Sequence, residues 1–211
     1  MINTLINNYK SEFDKYYINL LKANLNNSIL SKAMLYGSIN GGKRIRPFLV
    51  YQASKIANAP KNQCLRLAAS IESIHSYSLI HDDLPSMDND DFRRGKPTCH
   101  KKFNEPTALL VGDSLLTYAF ELLASSELTP QNKIKCIEIL AKNSGKDGMI
   151  LGQQLDLESS NQELSESQIN QIHELKTGKL FLAAAEIALV ACDLEDGSST
   201  ANNVIEFATN F

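Results

Sequence analysis

Along almost the whole chain the apolar residues recur at three- and four-residue intervals, and nowhere do they keep up the two-residue alternation of a strand. That periodicity admits helices and little else. It predicts them near 2–25, 29–37, 48–58, 62–82, 105–126, 131–144, 146–158, 166–191 and 198–211. The punctuation agrees. Pro47, Pro106 and Pro130 fall where a first-turn proline is tolerated, Thr129 is placed to cap, and Gly37, Gly41 and Gly42 separate two helices. The one long irregular stretch is 83–104, and long loops in compact domains tend to carry function. With no repeat, low-complexity tract or linker, residues 1–211 are expected to form a single all-α domain.

Composition narrows the partners. Lys and Arg number 21 against 24 Asp and Glu, so a net charge of −3 gives no basic footprint for nucleic acid or anionic lipid. The four cysteines (64, 99, 136 and 192) form no CxxC pair and read as reduced thiols. The opening MINTLINNYK lacks the basic-then-apolar order of a targeting segment, so the expected compartment is the cytoplasm. The most apolar run, 180–192, is too short to span a bilayer and carries Glu186. It is expected as a buried helix, in the core or at a subunit interface, with no stable membrane insertion.

Two helix ends carry the wrong charge. Asp82 and Asp83 close the helix 62–82, which Pro85 stops, and the partial negative charge there disfavours each carboxylate by roughly 0.3–1 kcal/mol. Lys43, Arg44 and Arg46 crowd the partially positive start of the next helix upstream, in GGKRIRP. Such local conflicts are expected at functional sites. A divalent cation relieves the first and a bound anion the second, so a metal-bound polyphosphate between them relieves both.

An isolated acidic loop is usually solvated, but here acids, arginines and a basic glycine loop occur together. No window matches a calcium-binding loop, and oxygen donors without His or Cys spacing point to magnesium. GSINGGKR (37–44) matches GxxxxGK but has Arg44 where a P-loop needs Ser or Thr, and it follows a helix. A helical metal phosphohydrolase built on His75, His81, Asp82 and Asp156 stays open as a rival, though it leaves the basic residues idle.

GGKRIRP (41–47), HSYSLIHDDLPSMDNDDFRRGKPTCH (75–100), GDSLLTYAFELL (112–123), GQQLD (152–156) and HELKTGKLF (173–181), in this order and spacing, resemble the trans-isoprenyl diphosphate synthases, most closely the bacterial members that make a fifteen-carbon product. The resemblance implies an isoprenoid-synthase helical bundle around an apolar cavity. It implies magnesium-assisted ionisation of an allylic diphosphate (dimethylallyl or geranyl) and condensation with isopentenyl diphosphate. Asp82 and Asp88 are implied as the main magnesium ligands, with Asp83 in support. Arg93 is implied to hold the allylic diphosphate. Gly42, Lys43, Arg46, His75 and Arg94 are implied to hold isopentenyl diphosphate, and Lys176 and Thr177 to contact the allylic side. Gln153 and Asp156 match a motif lining the site, although a solvated helix face explains them as well. His75 has the competing reading of a satisfied core histidine. His81, Cys99 and His100 match the pattern without an assigned role.

Bulk on the helix before the first aspartate limits product length in this family. Tyr77 lies five residues before Asp82, about 7.5 Å along the helix, and small Ser78 lies nearer the Asp82 stripe. With two extra residues between the aspartates, around Pro85 and Ser86, this points to farnesyl diphosphate. A terpene cyclase would not need GGKRIRP. A non-catalytic prenyl-synthase-like binding protein remains the runner-up. The resemblance also implies a second aspartate-rich motif that this sequence, ending in NNVIEFATNF, does not contain. The expectation is a truncated form lacking its C-terminal helices, with turnover in this form left open. A homodimer is implied, with 105–126 and 180–192 as candidate interface helices.

Overall fold

The computed structural model describes residues 2–39, 41–56, 59–160, 162–194 and 197–210. In chain order it runs α1 (Ile2–Asn24), α2 (Ile29–Ser38), α3 (Ile45–Ile56), α4 (Lys61–Asp82), β1 (Phe92–Arg93), β2 (Lys96–Pro97), α5 (Cys99–Lys102), α6 (Glu105–Ala124), α7 (Pro130–Ser144), α8 (Met149–Glu158), α9 (Glu166–His173), a π-helical turn (Glu174–Gly178), α10 (Lys179–Ala191) and α11 (Ser199–Thr209). The all-α expectation is borne out. The expected helical ends at 57–58 and 211 lie outside the described residues.

Capping explains the boundaries. Thr129 accepts from the Asn132 amide at 3.2 Å, as its position predicted, and Asn104 accepts from Thr107 at 2.8 Å ahead of Pro106. Two helix starts differ from expectation by three residues. Helix α3 begins at Ile45 rather than 48, which still leaves Pro47 in the first turn. Helix α8 begins at Met149 rather than 146, because the backbone of Gly148 passes against the Asn143 carbonyl, where a Cβ would lie 2.0 Å away.

The core is built around α4, which buries residues on nearly every face and packs most extensively along α6, with α3 and α10 beside it. Ile71, Ile74, Leu115, Leu122, Leu180 and Ile187 are fully enclosed, each worth about 1.5–3 kcal/mol in transfer from water. From α1, Phe13, Tyr17 and Leu21 close the bundle, and the Tyr17 hydroxyl hydrogen-bonds Ser73 at 2.8 Å. Helix α10 lies in this core, so the apolar run 180–192 resolves to the core reading rather than the interface one. Helix α6, rather than the run 180–192, is long and apolar enough to cross a membrane by length and composition. Here it lies along α4 and leaves Leu109 and Leu110 exposed.

A candidate site between an acidic helix end and a basic loop

The C-terminus of α4 carries the acids. Asp82 is its last residue and Asp83 its cap. The chain then turns back: the Asp88 amide donates to the Asp82 carbonyl at 2.9 Å, and those of Met87 and Asn89 to Leu84 at 2.9 and 3.0 Å. The insertion around Pro85 and Ser86 thus folds Asp88 against the helix end. Asp82 Oδ1 is buried and finds no hydrogen-bond partner among the described residues. Lys176 Nζ lies 3.9 Å from it. Burial raises the Asp82 carboxyl above the usual range; Lys176 opposes this, and Asp88 adds to it.

Asp83 is buried and engaged. Arg93 donates to its Oδ1 through Nε at 2.6 Å and through Nη2. Burial raises this carboxyl too, against the pull of Arg93. Arg93 sits on β1, opposite Lys96 of β2, and the turn between them is Arg94–Gly95 with φ of +54° and +78°. Positive φ at both central residues is the mark of the tightest hairpin turn. The turn sends the arginine pair in opposite directions, Arg93 to the acids and Arg94 to the basic loop. There Arg94 Nη1 donates to the Gly41 carbonyl and lies over Gly42, where a Cβ would sit 2.3 Å from it. With φ at +108°, Gly42 also has a conformation that favours glycine.

Gly42, Lys43, Arg46, His75 and Arg94 meet around a cavity of about 680 Å³. The guanidinium of Arg46 stacks 4.4 Å over the Phe181 ring, with Nε buried and unpartnered among the described residues. Burial lowers its pKa; Glu72 opposes this, and Arg94 adds to it. The part-exposed His75 is held well below the usual imidazole range by burial and by Arg46 and Arg94, so it is neutral at pH 7. Arg44, grouped by charge with these cations, differs from them: it is buried against Asp14, Glu72 and the Ser38 carbonyl, and its charge is neutralised inside the fold. Periodicity and charge also passed over Lys96 and Glu72, which line the same cavity. The available signals were RRGK for Lys96 and the i,i+3 spacing to His75 for Glu72.

A second cavity of about 520 Å³ shares Arg46 and His75 with the first. Tyr77, Ser78, Leu116, Met149 and Leu157 give it apolar walls, and Asp82, Lys176 and Thr177 stand on its lining. The 5% exposed ring of Tyr77 packs edge-on against His81, and its buried hydroxyl has no partner among the described residues. Gln153 lines this cavity with a buried Nε2 that is likewise unpartnered among the described residues, whereas Asp156 accepts from Lys176 Nζ at 2.6 Å. Lys176 and Thr177 come from the π-helical turn, which interrupts the single helix expected over 166–191. That turn rests on Gly152, where a Cβ would lie 2.2 Å from the Lys176 nitrogen.

The remaining matched residues play smaller parts. His81 Nε2 bonds the Leu109 carbonyl at 2.9 Å over Gly112, while Cys99 and His100 are buried beside Thr98. The phosphohydrolase arrangement is not assembled, since His81 is tied to α6 and Asp156 to Lys176. Among the described residues no three His, Cys, Asp or Glu side chains form a metal cage. Magnesium binds through one or two carboxylates plus substrate phosphates, and the buried Asp82 Oδ1, without a hydrogen-bond partner among the described residues, is a donor of that type.

The helical bundle thus holds a basic cavity and a neighbouring apolar cavity with Asp82 on its lining, and the two share Arg46 and His75. The chain belongs to the polyprenyl synthetase family, whose sequence profile matches residues 27–211. It is 48% identical over 165 residues to a farnesyl diphosphate synthase of Haemophilus influenzae, covering 78% of this chain and 56% of that protein. Its fold superposes on a geranyltransferase from Legionella pneumophila with a TM-score of 0.93 at 39% identity, over 99% of this chain and 75% of that one. A Helicobacter pylori geranyltransferase complexed with magnesium and isoprenyl diphosphate gives 0.84 at 37% identity, over 96% and 70%. The chain spans about half to two thirds of the length of the curated relatives it matches.

Proposed function

We propose that this chain carries the substrate-binding and ionising half-site of a prenyltransferase that joins an allylic diphosphate to isopentenyl diphosphate, with farnesyl diphosphate as product. The observation that carries the reading is the pair of adjoining cavities that share Arg46 and His75. In one, Gly42, Lys43, Arg46, His75 and Arg94 hold the diphosphate of isopentenyl diphosphate; guanidinium forks suit phosphate oxygens. In the other, the allylic tail lies along the apolar wall, while Lys176 and Thr177 on its lining, with Arg93 reaching in from the β1–β2 hairpin outside it, meet its diphosphate. Asp82 and Asp88, with Asp83 in support, are the residues that would hold magnesium. When bound, the metal neutralises charge on the departing diphosphate.

The allylic C–O bond breaks and its electron pair leaves with the diphosphate. The carbocation adds to the double bond of isopentenyl diphosphate, and a proton is then lost to restore an alkene. The apolar lining keeps water from the cation. Tyr77 and Ser78 stand where the growing tail points, and the Tyr77 ring sets its length. The same reading takes the protein as a cytoplasmic homodimer without membrane insertion, consistent with four free cysteines.

The test uses this 211-residue chain with labelled isopentenyl diphosphate and geranyl diphosphate, with magnesium or a chelator. The expected result is a magnesium-dependent fifteen-carbon product. A folded chain that binds both diphosphates without turnover supports a non-catalytic binding protein, and phosphate released from nucleotides instead supports the phosphohydrolase.

A further inference from the structure

Glu72 is the one acidic side chain on the lining of a cavity otherwise furnished with Lys43, Arg44, Arg46, Arg94 and Lys96. A carboxylate there opposes any anion the cavity receives, so its presence needs a reason. Glu72 is 3% exposed and pairs with Arg44 Nη1. From the other side Arg44 Nε donates to Asp14 Oδ1 at 2.8 Å, and Nη2 donates to the Ser38 carbonyl at 3.0 Å. Helices α1, α2 and α4 therefore grip one guanidinium at once.

What they grip is the middle of the anion-facing segment. Arg44 has φ at +56°, a left-handed backbone that side chains other than glycine rarely adopt, and Gly41 and Gly42 before it stand at +87° and +108°. Such a conformation persists only where surrounding contacts over-determine it. Among those contacts are the ones the Arg44 side chain makes, beside the Arg94 bond to the Gly41 carbonyl. Taking away one of the two carboxylates leaves the buried guanidinium with a single charged partner and a vacated hydrogen-bond position, which loosens its hold on the segment. The backbone that presents Gly42, Lys43 and Arg46 would move with it.

We infer that Asp14 and Glu72 are positioning residues of the isopentenyl diphosphate cavity, acting through Arg44 to hold the 41–46 segment in its anion-receiving shape; the inference rests on the reading of that cavity given above. Asp14 is the more telling of the two. It belongs to α1, is not among the described residues lining the cavity, and touches it only through Arg44.

The experiment is calorimetric titration of the wild-type chain, Asp14→Asn and Glu72→Gln, below the melting temperature of each. The ligands are isopentenyl diphosphate alone and geranyl diphosphate with magnesium. Both variants are expected to bind isopentenyl diphosphate about tenfold more weakly and geranyl diphosphate within twofold of wild type. A purely structural role lowers the melting temperature and leaves that ratio unmoved. Asp14→Asn binding isopentenyl diphosphate like wild type overturns the inference, and so does tighter binding by Glu72→Gln, the result for a carboxylate that merely repels the ligand. If Glu72→Gln does not fold, Asp14→Asn, whose carboxylate is partly exposed, decides alone. A wild-type chain that does not bind isopentenyl diphosphate removes the cavity assignment itself, and the inference with it.

Discussion

The two charged ends of the site are built on opposite plans. In the basic cavity the fold spends its own carboxylates on one cation, Arg44, and leaves the others facing open space: Arg46 stacked on Phe181, Arg94 held by a backbone carbonyl. At the acidic end the fold supplies cations of its own. Arg93 sits on Asp83, while Lys176 stands between Asp156 and Asp82. On the proposed reading the first end takes its anion without help. The second is closed by internal ion pairs that a metal-bound diphosphate would rearrange, and its buried Asp82 Oδ1 is without a hydrogen bond among the described residues. Preorganisation favours affinity, and displaceable partners favour response to the right ligand.

Substitutions that act on one end alone test this contrast. The largest effect is expected from Asp82→Asn, which removes charge where the metal is proposed to bind. Steady-state assays should show turnover lower by about 100- to 1000-fold, the scale of losing one electrostatic group, with metal-free isopentenyl diphosphate binding intact. An equal loss in both measurements would erase the division between the ends. Gly42→Ala acts on the other end. It puts a methyl group into Arg94 and strains a positive φ, so isopentenyl diphosphate should bind about tenfold more weakly, a cost of roughly 1.4 kcal/mol. Allylic binding should not follow it.

Gly152→Ala is expected to change ligand binding less and stability more. Its Cβ meets backbone rather than a movable side chain, and overpacking of this kind costs about 1–3 kcal/mol. Scanning calorimetry should show a melting temperature lower by several degrees, and kinetics a raised KM for the allylic substrate only.

The finest distinction concerns Tyr77. Removing the ring in Tyr77→Ala should lengthen the product, whereas Tyr77→Phe should leave it unchanged, as product chromatography would reveal. The Tyr77 phenol is pushed up to about 12 by burial, from about 10 in an unfolded chain. Its contribution is therefore present below pH 10 and is lost as pH rises toward 12, on the order of 2 kcal/mol. Urea midpoints measured across that window should fall less steeply for Tyr77→Phe.

Most of this arrangement could be read from the sequence. The helices follow from spacing, and Thr129 marks the start of α7 because a side-chain oxygen before a first-turn proline has an obvious amide to meet. Both charged ends were visible as conflicts with the helix dipole. Arg44 was misgrouped because charge patterning treats neighbouring cations alike, while its fate was settled by Glu72, 28 positions away in sequence. The β1–β2 hairpin escaped notice because two-residue strands are too short to alternate. The widened turn at 174–178 left no trace, since the same residues suit an ordinary helix and only packing against Gly152 distinguishes the two.

That widened turn has a consequence for how the chain tolerates editing. In a regular helix successive side chains diverge by about 100°, so two neighbours do not share a wall easily. A π turn accommodates an extra residue, and here Lys176 and Thr177, side by side, both reach the same cavity. Deleting one residue within 174–178 would let α9 run into α10 as unbroken helix. Few hydrogen bonds would be lost, but the bearing of Lys176 on the cavity mouth would swing away. In most helices a one-residue deletion is a wound to the fold; here it would be a wound to aim.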